Sequence, residues 1–136
     1  MVRHGTPGPY EDLDPPAADL ASLRRTIALH RGLLATESPR GWVEVVDEVS
    51  FASGPGQFES VLTTFAQVEI GQVSVVLRGN KGALRVTFDP GVVAPSITLE
   101  KDVDFGIGPA DVRLVKFALV KPMQQALVRL QIEPID

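Results

Sequence analysis

The residues best equipped for chemistry are acidic. Asp102 and Asp104 alternate in Asp102-Val103-Asp104-Phe105-Gly106, with Glu100 before them and Asp111 after. Alternate oxygens on a glycine-containing loop can wrap a Ca²⁺ ion. Asp102, Asp104 and Asp111 are therefore the metal-ligand candidates, although the further ligands and the distal Glu of an EF-hand are missing from the run. A solvated turn between strands accounts for the same residues. Nucleophilic catalysis has less to draw on. The chain has no cysteine, and its two histidines, His4 and His30, stand near no serine motif. Gly106-Ile107-Gly108 and Gly54-Pro55-Gly56 are too short for phosphate loops and lack the Lys-Ser/Thr pair that follows one.

Arg3-His4-Gly5 resembles the Arg-His-Gly signature of histidine phosphatases, in which the histidine accepts the phosphoryl group. That family places a strand directly before the motif and a second histidine late in a larger α/β chain. Here only Met1 and Val2 precede it, and the other histidine, His30, falls in a segment read below as helix. The tripeptide is read as part of an N-terminal arm, no cofactor is implied, and the chain is not read as an enzyme.

Composition sets the remaining bounds. One domain suits 136 residues with 44% hydrophobic content, and that content argues for a packed core. The net charge of −4 disfavours a nucleic-acid partner. No run is apolar enough to span a bilayer as a helix, and the first residues lack the hydrophobic core of a signal peptide. A cytoplasmic origin, or a particle assembled in the cytoplasm, is expected.

The positioning elements follow from periodicity. Residues 1–15, with Pro7, Gly8, Pro9 and Pro15, read as an extended arm. Leu20, Leu23, Ile27 and Leu34 make a stripe that predicts a helix over about 17–35, with Asp19 early and Arg24, Arg25 and Arg31 late to suit its dipole. The single domain spans 16–136, its β region about 42–133. Trp42–Phe51 alternates, except that Asp47 falls on the apolar face. Residues 57–70 show helical spacing of Phe58, Val61, Leu62 and Phe65 but strand-forming composition, and are read as one long strand. Pro95 lacks a backbone donor, so the strand at 92–100 is expected to lie at an edge or to break there.

Register can be argued for two hairpins. Val73, Val75 and Leu77 share a face, as do Leu84, Val86 and Phe88, so Leu77 must oppose Leu84 and Val75 must oppose Val86. The loop between them is then even, either Asn80-Lys81 or Gly79 to Gly82. The same reasoning pairs Leu119 with Ala126, Phe117 with Val128 and Val115 with Leu130 around Lys121-Pro122-Met123-Gln124, at the cost of setting Lys116 opposite Arg129. The expected architecture is mainly β, a single antiparallel sandwich or small barrel of about seven strands, with one N-terminal α-helix and an extended N-terminal arm.

The outward faces of these hairpins mix apolar and basic side chains, which suits a covered surface. Arg78, Arg85, Leu114, Lys116, Leu127 and Arg129, with Tyr10 and Leu13 of the arm, are the interface candidates. The expected function is a non-enzymatic structural or interaction protein that builds a homo-oligomer or larger assembly from copies of itself or other subunits. Proteins that decorate viral particles, and parts of injection machines, offer an analogy at the level of architecture only. The alternatives are a ligand-binding β module with a Ca²⁺-dependent loop at 100–111, and a small enzyme with an unidentified site.

Overall fold

The computed structural model describes residues 19–31, 41–104, 106 and 108–135. Nine strands form two antiparallel sheets. They are β1 (Leu20–His30), β2 (Trp42–Phe51), β3 (Glu59–Thr64), β4 (Gln67–Ile70), β5 (Ser74–Gly79), β6 (Gly82–Thr87), β7 (Val93–Asp104), β8 (Pro109–Leu119) and β9 (Gln125–Ile135). The larger sheet has six strands in the order β1-β2-β9-β6-β5-β4, and the smaller has three, β3-β8-β7.

The core lies between them. Alternate residues of β2, β9, β6 and β5 (Val45 and Val49, Val128 and Leu130, Val86, Val75 and Leu77) meet Val93, Val115, Phe117 and Leu119 of the smaller sheet. Phe117 is fully buried, its ring 5.7 Å from that of Phe88. Sheets of this kind bury the side chains of one face against each other, which is why the period of two recurs along almost every strand.

The β5–β6 hairpin has the register that alternation requires, with Leu77 opposite Leu84, Val75 opposite Val86, and a two-residue Asn80-Lys81 loop closed by the Gly79–Gly82 pair. Gly82 takes φ +152° there, a backbone conformation that side chains rarely adopt.

Three expectations need correction. The helix over 17–35 is not formed where the chain is described: Leu20–His30 is strand β1, antiparallel to β2. Its leucines fit a helical stripe, but Leu23, Ile27 and Leu29 also share the parity of one strand face, and β2 pairs with one side of the β1 backbone along its length. The segment 57–70 is strand, as expected, but it breaks at Phe65-Ala66, where the Ala66 amide donates to Thr64 Oγ1, and its halves enter different sheets. Finally, β8 and β9 are not a hairpin. β8 is the centre of the small sheet and β9 lies inside the large one, so Val115, Phe117 and Leu119 meet Val128 and Leu130 through the core and not as ladder neighbours. The conflict between Lys116 and Arg129 disappears with that pairing: Lys116 stands between Val61 and Ser96 in its own sheet. The 121–124 corner crosses between the sheets, held by reciprocal backbone hydrogen bonds between Gly56 and Met123. Pro95 does lie on an edge strand, β7. The arm at 1–15, with Tyr10 and Leu13, lies outside the described residues.

Candidate functional site

The two sheets do not match in width, and the mismatch exposes one end of the larger. No residue of β1 enters the core. Yet Leu23, Ile27 and Leu29 stand in register with Val49, Val45 and Val43, on the face that β2 turns toward the second sheet. Beyond that sheet's reach they are 51%, 65% and 60% exposed. Large aliphatic side chains aligned on one strand at such exposure form a patch rather than scattered surface residues.

β1 is also a sheet edge, pairing with β2 on one side only among the described residues. Edges present unpaired N–H and C=O groups and are usually blunted by shortness, proline, bulges or charge. The other edges show those devices. β4 has four residues and β3 six, while β7 carries Pro95, an irregularity between Glu100 and Val103, and the charged run Glu100-Lys101-Asp102. β1 runs for eleven residues with no proline, its one irregularity lies at the Leu20/Ser22 end, and of its two charged side chains, Arg24 and Arg25, the second is turned to Asp47.

A part-buried ion pair fixes this edge to the rest of the fold. Arg25 lies opposite Asp47 and grips it with two charge-assisted bonds, Nε to Oδ1 at 2.7 Å and Nη2 to Oδ2 at 2.8 Å. Nη2 also donates to Ser60 Oγ of β3 at 3.1 Å, so one guanidinium ties β1, β2 and the second sheet together. Asp47 is 1% exposed. Burial pushes its carboxyl up, but the hydrogen bonds from Arg25 and Ser60 and the guanidinium charge outweigh burial and hold it below the usual carboxylate range. Arg25 shifts upward, chiefly through its hydrogen bond to Asp47. The aspartate that interrupts the alternation of β2 is thus the partner of an arginine on the neighbouring strand.

The outward face of the larger sheet carries Arg78, Arg85, Leu127 and Arg129, while Leu114 and Lys116 belong to the other sheet, so these candidates do not make one surface. Nor are the arginines free cations. Arg78 pairs with Glu69 at 3.0 Å, Arg129 with Glu44 at 2.9 Å, and Arg85 lies 3.9 Å from Glu133. Beside Glu44, His30 stacks on Trp42 with ring centroids 4.1 Å apart and planes 16° apart. His30 Nε2 approaches Glu44 Oε1 at 3.5 Å without hydrogen-bond geometry, and the buried Trp42 Nε1 finds no partner among the described residues.

The acidic residues do not converge on a metal. The 100–111 segment is mostly strand, the β7–β8 hairpin. Asp111 Oδ1 accepts the Asp102 amide at 3.1 Å and Asp104 Oδ1 accepts the Gly106 amide at 2.7 Å, so both carboxylates serve the turn. No cluster of three metal-ligating side chains occurs among the described residues. One surface depression, about 440 Å³, is lined by Ser22, Glu48, Ser50 and Leu127 among others, and its two serine hydroxyls bond each other at 2.8 Å.

Sequence reasoning missed Arg25, Ser60 and the Leu23/Ile27/Leu29 stripe. The signal for the stripe was the shared odd numbering of its residues, which competed with an equally good helical spacing. Neither a protein-family model nor a curated protein matches this chain.

Proposed function

We propose that this chain is a non-enzymatic structural protein that associates with other protein chains by strand addition at β1. The observation that carries this reading is an eleven-residue edge strand, free of proline and regular beyond its Leu20/Ser22 end, that pairs on one side only among the described residues and bears exposed Leu23, Ile27 and Leu29. Strand addition supplies main-chain hydrogen bonds, and the apolar stripe supplies side-chain burial. The Arg25–Asp47–Ser60 contact holds the edge in place before any partner arrives, which reduces the ordering cost of association. The paired arginines of the outward face act within the fold, so the arginines expected to form an interface are not its centre.

Light scattering coupled to size exclusion tests this on wild type and Ile27→Lys. Wild type is expected above the 14.6 kDa chain mass and the variant at it. Ile27 is 65% exposed, so lysine there leaves the fold intact while placing a charge where a partner strand would pack. Equal masses for the two proteins, with unchanged circular dichroism, would refute the reading.

A further inference from the structure

The partner strand at β1 can be specified further, and the specification rests on the reading just given. We infer that β1 pairs antiparallel with β1 of a second copy, about a two-fold axis through Thr26, joining two larger sheets into one continuous sheet. Closed dimers of this kind are isologous, the same patch meeting itself.

The register follows from side-chain parity and charge. Inward faces must continue into inward faces, since a one-residue slip would set the apolar stripe against the polar outer face. Paired residue numbers must therefore sum to an even value. Centring on Arg24 or Arg25 places a guanidinium opposite its own copy. Centring on Ile27 sets Arg24 against His30 and Leu23 against Arg31, and centring on Ala28 sets Arg25 against Arg31. Thr26 is free of these conflicts. With it on the axis, Leu23 opposes Leu29 twice over, Arg24 opposes Ala28, Ser22 opposes His30, and Arg25 opposes Ile27 with its guanidinium turned away to Asp47 and Ser60. The two stripes merge into one apolar strip across the junction. The same edge that the Arg25–Asp47 contact anchors is self-complementary in sequence.

The chain has no cysteine, which makes a thiol probe unambiguous. Residues paired across antiparallel strands have Cα atoms about 4.5–5.5 Å apart, within disulfide range. Full-length Thr26→Cys, oxidised with copper phenanthroline, is expected to run at twice the 14.6 kDa chain mass without reductant. Arg24→Cys and Ala28→Cys alone should stay monomeric on the gel, because each lies about 13 Å from its own copy. Mixed, those two variants should cross-link. If wild type is associated in solution but Arg24→Cys or Ala28→Cys cross-links alone while Thr26→Cys does not, this register is overturned and strand addition stands. If wild type is associated and none of the three thiols cross-links, alone or mixed, the partner strand is not β1. A monomer at all concentrations, or a monomer whose β1 amides exchange slowly because the chain covers its own edge, overturns both proposals.

Discussion

Replacing Arg25 with glutamine should destabilise the fold and change how its stability responds to pH. Arg25→Gln removes the cation but keeps a neutral donor near Asp47, which is 1% exposed. Breaking a buried pair by removing one partner costs about 3–5 kcal/mol, because the remaining charge is stranded. The Arg25 side chain is 43% exposed, so water can reach one side of the contact and the low end applies, about 3 kcal/mol at pH 7. For a chain of this length that lowers Tm by roughly 10 °C. The pH dependence gives the sharper test. In wild type the folded Asp47 pKa lies below its ordinary 3.8, so the unfolded chain binds the extra proton. The contribution is present above about pH 4 and is lost as pH falls through the folded value. In Arg25→Gln the guanidinium is gone and burial dominates, raising the folded pKa above the unfolded one. The Asp47 contribution to its stability is then fullest below about pH 4 and falls as pH rises through the raised value. The gap between the proteins should be widest near pH 7 and should shrink toward pH 3.5. Urea unfolding followed by circular dichroism measures it, with both proteins in the Ile27→Lys background so that association does not contribute. A gap below about 0.5 kcal/mol at pH 7, or one that does not change with pH, would refute the account of this contact.

Two further substitutions probe the sandwich that carries the edge. Phe117→Ala empties a fully buried position beside Phe88 and should cost about 3–5 kcal/mol in urea unfolding, whereas truncating exposed Ile27 should cost under about 1 kcal/mol in the monomer. Gly56→Ala places a Cβ 2.5 Å from the Phe51 ring in a corner held by the Gly56–Met123 hydrogen bonds, so the ring must move; about 1–3 kcal/mol of stability should be lost, measured the same way.

The β5–β6 hairpin shows how far local pattern reaches. Its register was legible because both strands alternate cleanly and a short connection leaves only even loops consistent with one buried face. The same logic misled at β8 and β9. Val115, Phe117, Leu119, Val128 and Leu130 are inward residues in either arrangement, and alternation cannot distinguish partners beside each other in a sheet from partners facing each other across a core. For residues 57–70, strand-forming composition outweighed helical spacing correctly, but the corner at Phe65-Ala66 carries no glycine or proline to announce it.

The sequence by itself determined the class of fold, most of the inward-facing residues, the even loop between Leu77 and Leu84 and the restriction of Pro95 to an edge or a break, because each depends on properties of neighbouring residues. It also displayed the anomaly of Asp47 without explaining it. Only the tertiary structure decided that Leu20–His30 is a strand, since its leucines suit either period and the deciding term is the backbone pairing offered by a distant β2. The same pairing sets Arg25 against Asp47 and brings Ser60 from the second sheet to both. And only the unequal width of the two sheets, a property of strand order and of no single segment, leaves Leu23, Ile27 and Leu29 exposed on a strand that pairs on one side only among the described residues.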